Sequence, residues 1–251
     1  MDARVPFAAP GLRPLTARSI VLSTLLGHHP PALPARALVR VGALFGVAEG
    51  TVRTALTRMV AAGDLEQRDG AYRLAERLVA RQARQDDSRA PHTRDWDGGW
   101  ELAVVTGAAR RAAPDRAALR QAMAALRMGE LREGCWLRPA NLVRREWPSV
   151  VTEQCAVFTG AAPDGDPARV VAALWDLPGW SRRARELEEA LHAADGVAER
   201  FMVSAAVLRH LLADPVLPPA LLPADWPGER LRARHEAFDA DLHAVLLRHI
   251  A

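Results

Sequence analysis

The sequence predicts an α+β protein in three parts: a helical N-terminal part that ends in a hairpin, a middle part of strands and helices, and a helical C-terminal part. Three observations lead to this prediction. Apolar residues recur at helical spacing up to Gly63, and the dipeptide Asp69-Gly70 that follows is typical of a tight hairpin turn. In the middle of the chain, short apolar runs alternate with helix-like segments. Beyond Pro178 helical spacing returns, and 251 residues are enough for more than one core.

The N-terminal part predicts three helices and then the hairpin. Thr16 to Leu26 forms the first helix with Thr16 as its N-cap, and the second helix ends at Gly46, which suits a left-handed C-cap. The third helix starts at Ala48 and carries an apolar stripe made of Val52, Leu56, Met59 and Val60. Leu65 to Leu74 supplies two short strands. Helix, turn, helix and hairpin together predict a winged helix-turn-helix domain over residues 1–85.

The opposite face of the third helix carries the side chains that a DNA-reading helix needs. Such a helix reads base edges with short polar or bidentate side chains, while arginines near the groove walls hold phosphates. That face presents Glu49, Arg53, Thr54, Thr57 and Arg58. Arg68 and Arg73 flank the hairpin turn and are the predicted wing contacts to the DNA backbone. Two alternatives stay open: a surface helix with solvated arginines, and a winged helix that holds a protein partner.

Charge is distributed unevenly along the chain. Residues 1–90 contain 13 arginines and 8 acidic side chains, whereas the remaining residues contain 20 arginines and 22 acidic side chains. Because the chain has no lysine, we attribute the high total of arginine to a compositional bias and not to a binding site. The local positive excess favours a polyanionic partner, double-stranded DNA, for the N-terminal part.

The cysteines and the apolar runs predict a cytoplasmic protein without a membrane partner. Cys135 and Cys155 lack metal-ligand spacing and fall in strand-like runs, so we expect buried free thiols in a reducing compartment. The N-terminus lacks the continuous apolar segment of a signal peptide. No apolar run approaches the roughly 18 residues of a membrane span.

The middle part predicts a ferredoxin-like α+β domain over residues 95–177, after a linker at Asp86 to Arg94. The order strand, helix, strand, strand, helix is typical of that fold. The five segments are Trp100 to Thr106, Pro114 to Leu126, Leu131 to Leu137, Val150 to Phe158 and Pro167 to Leu174.

The C-terminal part, residues 178–251, predicts a helical domain. Its three helices are Ser181 to Ala193 with Ser181 as the cap, Val197 to Leu212, and Gly228 to Ile250. A proline-rich connector separates the last two helices.

Several motifs together resemble one known family. TARSIVLSTLLG, GVAEGTVRTALTRMVAAGDLE, WELAVVT, GCWLRPANL, LWDLPGW and LADPVLPPALLPADWPG occur in this order between Leu15 and His249. The chain thereby resembles the PaaX family of transcriptional repressors of phenylacetate degradation. The combination of VRTALTRM with the distant proline-rich motif is highly specific, and the similarity covers nearly the whole chain.

The resemblance implies a homodimeric repressor of catabolic genes that responds to a ligand. It implies a winged helix, a middle domain similar to Cas2, a helical C-terminal domain and, typically, phenylacetyl-CoA as the effector. Matching positions place the DNA-reading motif at Glu49 to Arg58, which adds Thr51 to the predicted contacts, with Arg53 the leading one. The chain departs from the family pattern in its long N-terminus and at Ala213, where the family often has a charged residue.

An acyl-CoA thioester needs arginines for its phosphates and an apolar, often aromatic, pocket for its acyl group. Two groups of residues have this chemistry, and core packing or solvation is the competing interpretation for both. The first group is Trp136, Arg138, Arg144 and Arg145; the second is Trp175, Trp180, Arg182 and Arg183.

Enzymatic interpretations find little support, and we expect no catalytic residue, resident cofactor or metal. GxSxG, HExxH and Walker motifs are absent from the sequence, and His28-His29 lacks a third ligand at suitable spacing. A nuclease of the Cas2 type would need a metal-binding carboxylate at the end of the first strand of the middle domain. That segment reads AVVTGAARR and contains no Asp or Glu, so the sequence argues against a nuclease. The remaining enzymatic alternative is an acyl-CoA-handling enzyme such as a thioesterase, for which Ser204 and His210 are loosely spaced candidates.

Overall fold

The computed structural model describes residues 15–107, 112–143 and 146–250. By packing, the chain divides into two compact units. Unit 1 comprises the described parts of Met1–Arg89, Arg183–Leu212 and Gly228–Ala251, and unit 2 comprises those of Ala90–Arg182 and Ala213–Pro227. The domain boundaries given above, 1–85, 95–177 and 178–251, stay a prediction.

Unit 1 begins with a winged helix-turn-helix, as predicted. Its strands form an antiparallel sheet in the order β1-β3-β2. The elements are α1 (Ala17–Leu26), β1 (Ala32–Pro34), α2 (Ala35–Leu44), α3 (Glu49–Ala61), β2 (Leu65–Arg68), β3 (Ala71–Leu74) and α4 (Glu76–Arg89). Strand β1 was not predicted, because its segment HHPPALP has the composition of a helix breaker.

The first helix begins where its sequence predicts. Thr16 is the N-cap: its hydroxyl accepts a hydrogen bond from the backbone N–H of Ser19 at 3.1 Å, and Ser19 Oγ accepts from the N–H of Thr16 at 2.8 Å. This reciprocal capping box satisfies two backbone donors that the helix cannot pair internally.

Helices α2 and α3 approach closely at a glycine. A Cβ atom on Gly42 would lie 2.5 Å from Cγ2 of Val52, so the space between the helices admits no side chain there. Gly46, in the turn between them, has φ +69°, a left-handed conformation that favours glycine. Behind this turn, apolar residues of α1, α2, α3 and the hairpin form one core, which includes Leu25, Leu38, Val52, Leu56 and Leu65.

The hairpin turn also has the predicted geometry. Asp69 has φ 52° and Gly70 has φ 75°, as the two central residues of a type I′ turn require. Arg68 and Ala71 are register partners on either side.

Helix α4 corrects the predicted linker, because it continues to Arg89 and so includes the first residues of the segment Asp86 to Arg94. Beyond Leu78, its buried side chains are polar: Gln82, Gln85 and Ser88. The Gln82 amide donates to the carbonyls of Leu26 and His28, each at 3.0 Å. Because its buried side chains are largely polar, this segment has the composition of a linker but the packing of a helix.

Three further helices follow: α8 (Leu177–Ala193), α9 (Val197–Leu212) and α10 (Gly228–Ile250). The bounds of α9 and α10 are those predicted, whereas α8 starts earlier than expected, and its cap is Asp176 and not Ser181. Asp176 Oδ1 accepts the backbone N–H of Gly179 at 2.8 Å, and Ser181 is buried one turn inside the helix. Ile20 and Val41 of the winged helix share a core with Phe201, Leu242 and Leu246.

Unit 2 has the predicted ferredoxin-like topology. Its four-stranded antiparallel sheet has the order β5-β6-β4-β7, with α5 connecting β4 to β5. The elements are β4 (Trp100–Val105), α5 (Ala113–Ala125), β5 (Gly129–Arg132), β6 (Cys135–Pro139), α6 (Ser149–Thr152), β7 (Cys155–Ala161) and α7 (Pro167–Leu174). A short 3-10 helix, Pro219–Leu221, lies in the proline-rich connector.

Two strand predictions in unit 2 are corrected. Leu131 to Leu137 is not one strand: it spans the end of β5, the turn of the β5-β6 hairpin, in which Gly134 has φ +80°, and the start of β6. Val150 to Phe158 begins in α6, and its strand starts at Cys155. Both cysteines are free thiols, as predicted, with Cys155 buried and Cys135 partly buried.

Candidate nucleic-acid interface

Helix α3 is oriented by its apolar stripe, so that its polar face points to solvent. Val52, Leu56 and Met59 are each 1% exposed and pack into the winged-helix core. All six predicted contact residues on the helix are exposed: Glu49, Thr51, Arg53, Thr54, Thr57 and Arg58. The structure therefore brings these residues to one accessible surface, which we call the α3 face, while their contact with DNA stays a prediction.

The polar side chains of the α3 face make weak local interactions. Arg53 Nε donates to Glu49 Oε1 at 2.7 Å, and both side chains remain more than half exposed. Hydroxyls of Thr54 and Thr57 donate to the carbonyls of Gly50 and Arg53 at 2.8 and 3.2 Å. An exposed ion pair contributes little to stability, so Arg53 can exchange its carboxylate partner for a base edge at low cost.

The two predicted wing arginines are also accessible. Arg68 is 76% exposed and lies 3.6 Å from the equally exposed carboxylate of Asp69. Arg73 is exposed on β3, where Glu66 is its register partner. Their guanidinium groups extend from the hairpin into solvent, where phosphates of a duplex could reach them.

A buried carboxylate that the sequence does not predict connects α1 and α4 to the hairpin. Asp64 is 2% exposed, although it precedes the hairpin. Its Oδ2 accepts two hydrogen bonds from Arg18 at 2.8 and 3.2 Å, and its Oδ1 accepts one from Arg77. Asp64 thus ties α1 and α4 to the start of the hairpin. Only its position after the helix-ending Gly63 could have suggested a structural role.

The same contacts add basic side chains near the α3 face. Arg18 lines a groove beside α3 together with Arg58, Thr51 and Thr54. Arg18 and Arg77 each have 58% of the side chain exposed, although both bind Asp64. Positive charge around the α3 face is therefore greater than the predicted contact residues alone supply.

The first predicted ligand group is built into the core of unit 2. Trp136 is 5% exposed and packs with Leu119 and Met123, and Arg138 is fully buried. Arg138 has five N–H donors, and its acceptors are the carbonyls of Leu126, Arg127, Pro139 and Val216 and the side chain of Asn141. These bonds occupy the guanidinium, so the structure gives Arg138 a structural role and corrects its prediction as a phosphate ligand. Arg144 and Arg145 lie outside the described residues.

The second group is dispersed over several environments. Trp180 is buried and stacks on Trp226 with a centroid separation of 4.4 Å, whereas Trp175 lines a groove beside Leu221 and Leu222. Arg182 is exposed, and Arg183 donates to Glu186 at 2.7 Å. Ligand binding by these four residues stays a prediction.

The thioesterase candidates do not form a nucleophile and base. Ser204 is hydrogen-bonded not to His210 but to His235 Nε2 at 3.0 Å, and its hydroxyl donates to Asp239 Oδ1 at 2.8 Å. Because the hydroxyl proton is given to a carboxylate, the imidazole is not placed to accept it. Burial is the main cause that lowers the pKa of His235.

Neither metal-type clusters nor membrane-spanning helices occur in the described part of the chain. Within residues 15–107, 112–143 and 146–250, no group of three or more histidine, cysteine or acidic side chains could hold a metal ion. No helix in these ranges is long and apolar enough to cross a membrane. His29 Nε2 lies 3.1 Å from the Asp86 carboxylate.

Comparison with known proteins gives matches to one family along the chain. The matching models are described as PaaX-like protein, residues 16–78, PaaX protein central Cas2-like domain, residues 93–167, and PaaX-like protein C-terminal domain, residues 178–250. A solved structure, described as an uncharacterized protein from Mycobacterium tuberculosis, is 46% identical and has a TM-score of 0.77. That alignment covers 94% of this chain and 99% of the other. Among curated proteins, none matches the chain.

Proposed function

The chain belongs to the PaaX family of transcriptional regulators, and from this premise we propose that it is a sequence-specific DNA-binding repressor of aromatic, phenylacetate-type catabolic genes. Its operator would be released when an aryl acyl-CoA, such as phenylacetyl-CoA, binds. Such a repressor acts in the cytoplasm, where its operator lies.

The observation that supports DNA binding most directly is the α3 face. It combines Arg53 and Arg58 with three threonines on a helix whose other side is held in a packed core. Arginine recognises guanine through its O6 and N7 atoms, and threonine contacts either base edges or thymine methyl groups. In this proposal α3 enters the major groove and reads the operator sequence.

The wing would supply contacts that are independent of sequence. Arg68 and Arg73 extend from the hairpin, and Arg18 and Arg77 add positive charge nearby. Phosphate contacts of this kind fix the register of the protein on the duplex and make affinity depend on salt.

The proposed repressor would act as a homodimer, because one recognition helix reads too little sequence by itself. A single α3 contacts only a few base pairs, which is too little to specify one site in a genome. Two copies related by a two-fold axis would read two half-sites, so the operator should be an inverted repeat.

The test is an electrophoretic mobility assay with the full chain and the intergenic DNA upstream of its own gene. We expect a retarded protein–DNA complex that dissociates when phenylacetyl-CoA is added, whereas the same concentration of free CoA leaves the complex intact. A complex that survives the thioester would reject the aryl acyl-CoA effector. If the protein retards no DNA, the repressor proposal fails and a protein-binding role for the winged helix becomes the better interpretation.

A further inference from the structure

Unit 1 contains a cavity that none of the predicted DNA or ligand residues line. It lies among α1, α4, α9 and α10, has a volume of about 100 Å³, and is partly open to solvent. We call it the α4 cavity, because α4 contributes Arg81, Gln85 and Arg89, a stripe with a spacing of four residues. Side chains at this spacing lie on one face of a helix, about 6 Å apart along its axis.

The charges that line the α4 cavity are mainly positive. The cationic or protonatable side chains are His28, Arg81, Arg89, Arg209 and His243, and the one acidic side chain among the lining residues is Asp239. Asp239 is already engaged, since its Oδ1 accepts the Ser204 hydroxyl at 2.8 Å and its Oδ2 lies 3.7 Å from Arg89. Asp86, outside the lining, pairs with Arg89 at 3.0 Å and with His29 at 3.1 Å.

Unsatisfied polar atoms concentrate in the residues that line this cavity. In the part of the chain that the structure describes, five buried side-chain nitrogen or oxygen atoms have no hydrogen-bond partner, and three of them are His28 Nδ1, Gln85 Oε1 and Arg89 Nε. Within the same ranges, Arg81 forms no ion pair. Buried polar groups without partners cost free energy, so a molecule in the cavity that supplies hydrogen-bond partners would be stabilised there.

The basic groups near the cavity also repel one another, which disfavours their protonated forms. Burial, followed by the charges of His243 and His29, lowers the pKa of His28. Burial, followed by Arg84 and Arg18, lowers the pKa of Arg81. An anion in the cavity would offset this repulsion and supply an acceptor for Arg89 Nε and for His28 Nδ1 in its protonated tautomer, whereas Gln85 Oε1 is itself an acceptor and would need a donor.

The remaining lining is apolar and sets a limit on size. Leu26, Phe201, Leu208, Leu242 and Leu246 contribute side chains to the wall. A cavity of about 150 Å³ is enough to enclose benzene. The α4 cavity is smaller than this but is partly open to solvent, so the largest body that we expect it to take is a single ring or a short branched chain, part of which would lie in the opening.

We propose that the α4 cavity binds a small organic carboxylate whose apolar body is a single ring or a short branched chain. The carboxylate would pair with Arg81 and the unpaired donors beside it, and the body would lie against the leucines and Phe201. This proposal goes beyond the regulator described above, because it concerns a free acid and does not depend on DNA binding.

Isothermal titration calorimetry of the full chain tests this site without DNA. The probes are benzoate and isovalerate, with benzamide and isovaleramide as uncharged isosteres and phenylacetyl-CoA as a thioester. We expect at least one carboxylate to bind, and its amide to bind about tenfold more weakly or not at all. Binding of the thioester alone, or equal binding of acid and amide, would overturn the proposal, as would no binding of any probe.

A matched pair of variants locates the site. Arg81→Gln removes a lining cation, whereas Arg84→Gln removes an exposed arginine one turn away on α4 that does not line the cavity. We expect the carboxylate affinity to fall about tenfold in Arg81→Gln and by less than about twofold in Arg84→Gln, because Arg84 is exposed and acts on Arg81 only through solvent-screened charge. Circular dichroism establishes that both variants are folded. Equal affinities in both folded variants would place any carboxylate site elsewhere and contradict the assignment.

Discussion

At the scale of single residues, the winged helix separates side chains that hold the fold from those that are available to a partner. Asp64 is buried and binds two arginines, whereas Arg53 and Arg68 are exposed and have only surface carboxylates beside them. Surface ion pairs are worth at most about 1 kcal/mol, so these two arginines can be exchanged without loss of the fold. This separation allows folding and DNA binding to be tested independently.

Arg53→Ala should weaken binding to the operator by about 1–3 kcal/mol and relax the preference for one sequence, because it would remove the bidentate base contact that we propose for this arginine. The control is Arg234→Ala, which removes an exposed arginine from α10. Affinities for the operator and for a scrambled duplex, measured for both variants, check this prediction. Equal, small losses on both duplexes would show that Arg53 reads no base.

Arg68→Ala should act on the salt dependence of binding more than on its specificity. Removal of one phosphate contact lowers the slope of log K against log salt by about 1. The measurement is a series of operator titrations at increasing salt concentration, with the wild-type protein in parallel. An unchanged slope would mean that the wing does not touch the DNA backbone.

Asp64→Asn should lower the free energy of unfolding by about 1–3 kcal/mol, because a buried carboxylate with two guanidinium partners becomes a buried amide. The loss is limited, since Arg18 and Arg77 are more than half exposed and can regain water. Asp69→Asn is the control, with 79% of the side chain exposed and an expected change below about 0.5 kcal/mol. Urea unfolding is followed by circular dichroism, because all seven tryptophans lie in unit 2. Equal stability of the two variants would contradict the structural role of Asp64.

At the scale of elements, the contact between α2 and α3 sets the position of the α3 face. Gly42→Ala places a methyl group 2.5 Å from a Val52 methyl group, so we expect a loss of about 1–3 kcal/mol of stability and weaker operator binding. Gly50→Ala, at a site with nothing within 4 Å, should be neutral or stabilise by up to about 1 kcal/mol. Thermal unfolding of both variants checks the prediction. A Gly42→Ala protein as stable as the wild type would show that the two helices can move apart.

The elements also show how far the sequence predicts the structure. Helices with apolar periodicity and local end signals, such as α1 with Thr16, were predicted at their observed positions. The errors occurred where tertiary contacts override composition: α4 continues to Arg89, and the buried Gln82 amide on this helix donates to carbonyls more than 50 residues earlier in the chain. The hairpin of β5 and β6 was missed because its tight turn interrupts one apolar run.

The candidate site could also be predicted only in part from the sequence. The α3 face follows from helical spacing, so its exposed residues could be named from the sequence. The ion pairs of Asp64 with Arg18 and Arg77 could not be predicted, because these partners are 46 and 13 residues away in the sequence. Arg138 was misassigned because nothing in LRP or RPAN indicates that five acceptors, one of them Val216, surround the guanidinium.

At the scale of the whole molecule, unit 1 joins chain segments that are far apart in sequence. Phe201, Leu242 and Leu246 share a core with Ile20 and Val41, and Phe45 meets Phe201 edge to face at a centroid separation of 4.9 Å. In the sequence, the apolar faces of α9 and α10 indicate that these helices pack against another element, but they do not identify that element. A ligand in the α4 cavity would therefore touch both the winged helix and the C-terminal helices.

The most direct test of the central claim, sequence-specific DNA binding by the α3 face, is a fluorescence-anisotropy titration of the wild-type protein. The labelled duplexes are the upstream intergenic DNA and a scrambled duplex of the same composition, each at two salt concentrations. We predict that the protein binds the upstream DNA at least about 10³-fold more tightly than the scrambled duplex, and that both affinities fall as salt rises. Equal affinity for both duplexes, or binding that does not respond to salt, would contradict the claim.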